Sequence, residues 1–339
     1  VGSIPGGLGM VAAIACVFFG AISGSGPATV AAIGGIMIPA MVARGYSPAW
    51  SAALCATAGC IGIFIPPSVA MINYGVIAGT SIAKMLLSGV IPGLLTALAL
   101  CILSYVQGRR RGYGGGEKFS FHRFLESLKE GIWPLLMPVI ILGGIYSGLF
   151  TTTEAAAVAC AYAFMVGVFI TRELTWARLR DVLVRSVATA STIMFIIAAA
   201  SAFGKMLTVA QLPAALVNFI TEHNVSKVAF LLIVTVILLI AGTFMDQIST
   251  VLILTPMLLP IAKELGVDPI QFGALMVVNI TFGLLTPPLG VHLFMACGIA
   301  KIKFSEIVRE IVPFLIACLI VILLTTFVPS VSLFLTQFA

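Results

Sequence analysis

Long apolar stretches separated by short polar ones run through the whole chain. Uncharged runs of about 20 residues recur, which is the length that an α-helix needs to cross the hydrocarbon core of a bilayer. Full spans are predicted at about 86–106, 132–150, 154–171, 187–207 and 311–329. Two pairs of runs, 6–22 with 28–43 and 226–243 with 250–265, predict re-entrant hairpins, because the runs of the first pair are each too short to span comfortably. The pattern therefore predicts an all-α polytopic membrane protein.

Two apolar segments are interrupted near their middle by a pair of prolines. Pro66-Pro67 divides the segment 48–79, and Pro287-Pro288 divides the segment 269–299. Two consecutive prolines remove two backbone donors and leave carbonyl groups without helical partners. Such backbone is costly in lipid, so it must be buried in protein or line a wet cavity. Interrupted helices at matching places in two halves of a chain indicate the binding site of a transporter.

The two halves of the chain repeat each other without a gap. Five prolines recur at a single offset of 221 residues, namely Pro39, Pro48, Pro66, Pro67 and Pro92, followed by Pro260, Pro269, Pro287, Pro288 and Pro313. Residues of about 20–106 and 241–328 therefore form an internal repeat of two folded halves. We divide the chain into a first repeat at 1–106, connecting scaffold helices and amphipathic arms at 107–225, and a second repeat at 226–339.

The charged residues predict how the helices are oriented in the membrane. Basic clusters at 109–123, 172–185 and 301–309 fall on one side, which the positive-inside rule makes cytoplasmic. Amphipathic stretches are predicted at 119–130 and 172–185, the second as an interfacial helix. The chain crosses the membrane an odd number of times between the hairpins, so the second repeat is predicted to be inverted. Inverted repeats with paired re-entrant hairpins are typical of secondary transporters.

Composition and missing motifs exclude several classes of protein. The chain is 60% hydrophobic and 9% charged, with a mean hydropathy of +1.18, well outside soluble usage. The 18 Lys and Arg against 12 Asp and Glu reflect loop topology and not a nucleic-acid surface. The seven cysteines show no metal-ligand spacing and are interpreted as small buried hydrophobes. Without a Walker A, HExxH or GxSxG motif, nothing supports an enzyme, although a channel or membrane scaffold stays open.

The chemistry is predicted at the hairpin tips and at the Pro-Pro breaks. A helix broken in mid-membrane exposes carbonyl groups at one half-helix end and N–H groups at the other, so one place can hold a cation and an anion. Ser23 and Ser25 supply hydroxyl oxygens beside glycines that permit close backbone approach. We expect one hard-oxygen Na⁺ site where this tip meets Gly62, Ile65 and Pro67, and a second formed by Gly242, Thr243, Gly283, Thr286 and Leu289. The alternative is that these residues serve only tight helix packing.

Three ionisable residues lie in or next to apolar segments, where a charged side chain is costly. Asp246 is the only acid in a hairpin tip, and we expect it to act in ion or substrate coupling, or to orient the tip, unless it lies near the surface. His292 follows the second proline pair by four residues and is expected to face the cavity, as a polar wall or as a proton relay. Glu154 begins a span on the outer side, either as a helix-start acid or as an outward contact.

The run GAISGSGPATVAAIG at 20–34, with IPPS at 65–68 and LTPPLG at 285–290, resembles the large membrane subunit of tripartite ATP-independent periplasmic (TRAP) transporters. The resemblance covers essentially the whole chain. It implies an elevator-type transporter of the bacterial inner membrane, in which a scaffold holds a transport domain made of both hairpins and both broken helices. It also implies a small membrane subunit and a periplasmic binding protein as partners. The implied activity is Na⁺-coupled uptake of an organic acid, such as a C4-dicarboxylate or sialic acid.

Carried over by position, the resemblance implies two Na⁺ sites, formed by Ser23, Ser25, Gly62, Ile65 and Pro67 and by Gly242, Gly283, Thr286 and Leu289. Substrate binding or coupling is expected of Thr243, Asp246, Pro288 and His292, and contact with the binding protein of Ser81 and Glu154. Pro27 departs from the family pattern, which often has a further polar residue after the first tip. Further scaffold helices are expected upstream of Val1. The alternative function is a stand-alone Na⁺- or H⁺-coupled carboxylate or anion transporter that needs no binding protein.

Overall fold

The computed structural model describes residues 4–114 and 121–338, and every regular element within these ranges is a helix. Six of the described helices are long and apolar enough to cross a membrane, or seven if a bent pair counts as one span. The prediction of an all-α polytopic chain is confirmed. Five of the seven cysteines are buried, as expected of small hydrophobes, whereas Cys101 is partly exposed and Cys160 is exposed.

The first half consists of a helical hairpin, a broken helix and a long span. These elements are α1 (Gly7–Ser23), α2 (Gly26–Ala43), α3 (Pro48–Phe64), α4 (Val69–Ala78) and α5 (Ile82–Arg111). Ser47 begins α3 as a helix cap that accepts a hydrogen bond from the Trp50 amide, and Pro48 occupies the first helical position, where proline is well tolerated. The chain then bends by 42° between α3 and α4, at the predicted proline pair.

Four helices connect the two halves, and their bounds differ from the predicted segments. They are α6 (Phe121–Tyr146), α7 (Thr152–Ile170), α8 (Trp176–Val209) and α9 (Leu212–Glu222). The predicted amphipathic stretch at 119–130 and span at 132–150 belong to one helix, because α6 runs from Phe121 to Tyr146; residues 119 and 120 lie outside the described ranges. The prediction of a separate interfacial helix at 172–185 is wrong, because α8 begins at Trp176 and continues to Val209. The 34 residues of α8 contain no proline, and their first glycine is Gly204. The short helix α9 was not predicted.

The second half follows the same order as the first. Its elements are α10 (Lys227–Phe244), α11 (Gln247–Glu264), α12 (Pro269–Gly283), α13 (Val291–Ala300) and α14 (Phe304–Phe327), followed by α15 (Pro329–Leu333). Asp268 caps α12 at the position that Ser47 holds in the first half, 221 residues earlier. Both proline pairs, Pro66-Pro67 and Pro287-Pro288, contain a cis peptide bond. The hairpins and breaks lie where the sequence predicts them.

The two halves interlock through the second part of each broken helix. α4 packs against α11, the return helix of the second hairpin, and α13 packs against α2, the return helix of the first. The Tyr74 hydroxyl of α4 donates a 2.6 Å hydrogen bond to the carbonyl oxygen of Pro269 at the start of α12. The rings of Phe64 and Phe282 meet edge to face with their centroids 5.3 Å apart. The helix ends that lead into the two breaks therefore lie next to each other, and their ring contact is buried.

Candidate functional site

The tip of the first hairpin lies directly against the first proline break. Gly24 has a φ of +61°, which favours glycine, and a Cβ atom there would collide with the Pro67 carbonyl oxygen. A Cβ atom on Gly62 would collide with the Thr29 hydroxyl and would lie 3.2 Å from the Ser25 carbonyl oxygen. The structure thus brings together Ser25, Gly62 and Pro67 of the predicted first site, at backbone-to-backbone distances that only glycine permits.

Oxygen atoms converge at this first contact. The Ser25 carbonyl oxygen accepts a 2.8 Å hydrogen bond from the Thr29 hydroxyl and lies 3.5 Å from the Ser23 hydroxyl. The helical donors to the carbonyls of Gly62 and Ile63 would be the N–H groups of residues 66 and 67, and proline has none. The place therefore presents carbonyl oxygens that lack their helical donors, together with the hydroxyls of Ser23 and Thr29, all of which suit a hard cation.

Ile65 contributes to the break in a different way. Its backbone is extended and its N–H donates to the Ile61 carbonyl oxygen at 3.0 Å, so α3 ends at Phe64. Its side chain is buried and packs against α5, where a Cβ atom on Gly93 would lie 2.7 Å from Ile65 Cδ1. The Ile65 side chain thus holds the break against the first span, while its carbonyl is the group predicted to bind an ion.

The second hairpin meets the second break through a pair of glycines. A Cβ atom on Gly242 would lie 2.5 Å from the Ile280 carbonyl oxygen, and one on Gly283 would lie 2.8 Å from the Gly242 Cα. The Gly283 carbonyl accepts a 2.9 Å hydrogen bond from the Thr286 N–H, and the Thr286 hydroxyl donates to the Phe282 carbonyl at 3.3 Å. Three residues of the predicted second site, Gly242, Gly283 and Thr286, therefore lie together.

A cavity of about 250 Å³ lies between the two hairpin tips and the second break. Its walls include Pro27 of the first tip and five consecutive residues of the second tip, Thr243, Phe244, Met245, Asp246 and Gln247. Leu284, before the second proline pair, and Leu289, directly after it, complete this part of the wall. Pro288 is exposed and does not line this cavity. The predicted residues Thr243, Asp246 and Leu289 thus share one space.

Asp246 forms the N-terminal cap of α11. One carboxylate oxygen accepts hydrogen bonds from the backbone N–H groups of Ile248 at 3.0 Å and Ser249 at 3.2 Å, and the residue is exposed. The Thr250 hydroxyl donates to the Asp246 carbonyl at 2.8 Å, the distance of the equivalent bond from Thr29 to Ser25. Asp246 therefore orients the second tip while its charge lies at the cavity.

His292 does not face the cavity, so that prediction is wrong for this structure. The side chain is fully buried because α13 packs against α2 and α3, which cover it. Its Nδ1 atom lies 3.5 Å from the Cys60 sulfur, and a Cβ atom on Gly26 would lie 2.6 Å from its Nε2. His292 of the second half thus contacts the first hairpin and the first broken helix.

Several polar residues of the site were not predicted. Thr29 and Thr250 bond the two tips internally, and Gln247 donates a 2.7 Å hydrogen bond to the Thr281 hydroxyl. The identical residue type at positions 221 apart was the signal that could have identified the threonines. Nothing in the sequence pairs Gln247 with Thr281, since that contact depends on how α11 packs against α12.

The two outward candidates are helix caps. The Ser81 hydroxyl accepts a hydrogen bond from the Lys84 amide at the start of α5. Glu154 forms a capping box with Thr151 at the start of α7, with the Thr151 N–H donating to the carboxylate at 2.8 Å. Both residues are exposed.

Within residues 4–114 and 121–338 no group of three His, Cys, Asp or Glu side chains could hold a metal ion.

The fold and this site define a multi-span helical membrane protein in which two hairpin tips meet two interrupted helices. Residues 1–331 match the family described as the DctM component of the tripartite ATP-independent periplasmic transporter. The chain belongs to this family, and the resemblance found in its motifs is confirmed.

Individual relatives agree with this membership. The chain is 44% identical over 335 residues to the isethionate TRAP transporter permease protein DctMQ of Oleidesulfovibrio alaskensis, a match that covers 98% of the chain and 53% of that protein. It therefore spans about half the length of that relative. It is 43% identical over 333 residues to the C4-dicarboxylate TRAP transporter large permease protein DctM of Pseudomonas aeruginosa, covering 98% of the chain and 78% of that protein. Identity to the 2,3-diketo-L-gulonate TRAP transporter large permease protein YiaN of Escherichia coli is 38% over 330 residues, covering 97% and 78%.

Proposed function

We propose that this chain is the large permease subunit of a Na⁺-coupled symporter that imports a small organic acid. Family membership supports the transporter class, and relatives named for isethionate, C4-dicarboxylates and 2,3-diketo-L-gulonate support an organic acid as the substrate. We prefer a C4-dicarboxylate or similarly small acid, and sialic acid is a larger alternative. The single observation that carries the ion coupling is that each hairpin tip lies against the break of its own half.

The first Na⁺ site is proposed where the Ser23 and Ser25 tip meets the break at Gly62 and Pro67. A hard cation prefers oxygen ligands. The carbonyls that proline leaves without donors can bind it without breaking a helical hydrogen bond. Because the ligands come from two separate segments, an ion bound there holds the tip against the break. The second site is proposed between Gly242 and the turn from Gly283 to Leu289 in the same manner.

The substrate is proposed to bind in the cavity between the tips. The α11 N-terminus at this cavity is already capped by Asp246, so bound Na⁺ is the expected source of positive charge for a carboxylate or sulfonate. Ion binding would organise the tips first and form the anion site second, which is the coupling step. The two hairpins and the two broken helices would then move together as the transport domain of an elevator, with the second repeat inverted relative to the first.

The partners are proposed from the surfaces that the transport domain leaves free. The long helix α8 exposes large apolar side chains such as Phe195, at 75%, and Met194, at 71%, which suit lipid or a small membrane subunit packed on the scaffold. A periplasmic binding protein is proposed to dock on the outer side near Ser81 and Glu154. We place the chain in the bacterial inner membrane, where it could contact both partners.

Uptake by the complete transporter reconstituted in proteoliposomes tests this proposal. With radiolabelled succinate and isethionate as probes, we expect saturable uptake that requires an inward Na⁺ gradient and is lost in the Ser25→Ala, Thr286→Ala double variant at limiting Na⁺. The matched control is Ser330→Ala with Thr192→Ala. Ser330 is exposed, and the Thr192 hydroxyl donates to the carbonyl four residues earlier at 2.9 Å, as the Thr286 hydroxyl does at 3.3 Å, but far from either break in the chain. Uptake that is equal without Na⁺, or unchanged in the site variant, would contradict the coupling. Uptake of free substrate without a binding protein would favour the stand-alone alternative.

A further inference from the structure

Four buried residues form a series of polar contacts from one hairpin tip to the other, which passes through both the hydroxyl and the backbone carbonyl of Thr281. Gln247, next to the second tip, donates to the Thr281 hydroxyl at 2.7 Å. The Thr281 carbonyl accepts a 3.7 Å hydrogen bond from the Cys60 thiol, and the Cys60 sulfur lies 3.5 Å from Nδ1 of His292. The far edge of the His292 ring lies against Gly26, the first residue of α2 after the first tip. The chain, here called the tip-to-tip network, passes through both broken helices.

The contacts of this network favour one arrangement of its protons. A thiol carries one proton; when that of Cys60 is directed at the Thr281 carbonyl, the sulfur is an acceptor for Nδ1–H of His292, whose ring also has a hydrogen bond with the Ala56 backbone. Nε2 of His292 is then an acceptor, and it has no hydrogen-bond partner among the described residues although the side chain is fully buried. An unpaired buried acceptor is costly, so this atom marks an open link between His292 and the first tip.

We propose that the tip-to-tip network couples the two ion sites, and that His292 is the positioning residue through which the state of one tip affects the other. This inference rests on the proposed Na⁺ sites. Gly26 begins α2 and lies against the ring edge that carries Nε2, and Pro27 has no N–H, so of these two residues only Gly26 offers a backbone donor to that atom. In this proposal, ion binding at the first tip closes this link, and loss of the ion opens it. A link with two arrangements, biased by both sites, is what coupling requires.

The chain itself contains the comparison that separates coupling from ordinary packing. Met71 stands 221 residues before His292 and is also fully buried, yet it packs against the junction at Gly89, where a Cβ atom would lie 2.8 Å from its sulfur. The position in the first half is therefore apolar and local, whereas the position in the second half is polar and reaches the other repeat. If burial alone mattered, conservative changes at both positions would have equal effects.

The test is the Na⁺ dependence of initial uptake by the reconstituted transporter, with succinate and isethionate as probes and with the Hill coefficient as the readout. Two coupled ion sites predict a coefficient near about 2 for the wild type and near about 1 for His292→Leu, with the half-saturating Na⁺ concentration raised by about 5-fold or more. Met71→Leu is the control and should leave both values unchanged, because it conserves volume. His292→Leu with wild-type coefficient and half-saturation would overturn the proposal.

Two further substitutions locate the effect within the ring. The amide of His292→Gln can reach the place of Nε2, whereas that of His292→Asn reaches only the place of Nδ1. We expect Gln to restore most of the cooperativity and Asn to restore little, and the reverse result would overturn the link to Gly26. Should His292→Leu fail to fold, Cys60→Ala breaks the same network with a smaller change in volume, and the same loss of cooperativity is expected.

The outcomes for the network and for the proposed function differ. A wild-type transporter whose uptake ignores Na⁺ removes the ion sites and the network with them. A wild-type transporter that is Na⁺-dependent and cooperative, with His292→Leu and Cys60→Ala equally cooperative, removes the network alone and leaves the proposed function in place.

Discussion

Cys60 and Thr281 stand at the same position of the two halves, 221 residues apart, and they touch: the thiol donates to the carbonyl oxygen at 3.7 Å. Contact between equivalent residues is the arrangement expected at the axis of a two-fold repeat. Phe64 and Phe282 meet nearby with ring centroids 5.3 Å apart, so the contact continues towards both proline breaks. The two interrupted helices thus share one buried wall, and a change at one break has a direct physical path to the other.

The close approach of the first tip to its break makes Gly62 intolerant of a side chain. In Gly62→Ala the new methyl group would collide with the Thr29 hydroxyl and crowd the Ser25 carbonyl, so we expect uptake to be lost and the protein to be destabilised by about 1–3 kcal/mol. Gly35→Ala in α2 is the control. No heavy atom lies within 4 Å of a Cβ atom there, so we expect a gain of about 0.5–1 kcal/mol and normal uptake. Full uptake by Gly62→Ala would show that the tip is not held where we place it.

Asp246 is expected to have two separable roles, as a helix cap and as a charge at the cavity. Asp246→Asn keeps a capping side chain, so thermal stability should be maintained while the half-saturating Na⁺ concentration for uptake rises. Asp246→Ala removes the cap as well and should cost about a further 1 kcal/mol of stability. Thermal unfolding and Na⁺ titration of uptake separate these effects. If Asn matches the wild type in both measurements, Asp246 is a cap and nothing more.

The hydroxyl of Tyr74 links the two halves, and its removal should be felt by the whole fold. Tyr74→Phe loses the 2.6 Å hydrogen bond to the Pro269 carbonyl and leaves that carbonyl without this donor, for an expected cost of about 1–3 kcal/mol. Tyr162→Phe is the control, because its 2.9 Å bond to the Trp133 carbonyl is exposed and lies within the connecting helices. The lowering of the unfolding midpoint should be clearly larger for Tyr74→Phe. Equal midpoints would argue against a stable junction between the halves.

The parts of this fold that the sequence predicts are those in which proline and glycine constrain the backbone. Pro66-Pro67 and Pro287-Pro288 remove donors whatever surrounds them, so both breaks lie where they were expected. The hairpin bounds agree to within a few residues for the same reason, since Gly24 ends α1 in a left-handed conformation. No proline or glycine separates the predicted interfacial helix at 172–185 from the predicted span at 187–207, and α8 continues through this point.

The candidate site is predicted less completely, because its side chains meet across great distances in the chain. Ser25, Gly62 and Pro67 belong to one half, and their meeting follows from the hairpin and the break alone. His292 lies 232 residues after Cys60, and only the packing of α13 against α2 and α3 decides that it is buried and not facing the cavity. Gln247 was missed for the same reason, since its partner Thr281 lies on another helix.

The measurement that tests the central claim most directly is the thermal stability of the purified transporter across a series of NaCl concentrations, with choline chloride holding ionic strength constant. An ion that binds the folded protein selectively must raise the unfolding midpoint, by about 2.7 kcal/mol in stability at one hundred times its dissociation constant. Our account predicts a saturable rise specific to Na⁺ that is reduced in Ser25→Ala and in Thr286→Ala and abolished in the double variant. An equal midpoint in NaCl and choline chloride, or a rise that the double variant retains, would contradict ion sites at the hairpin tips.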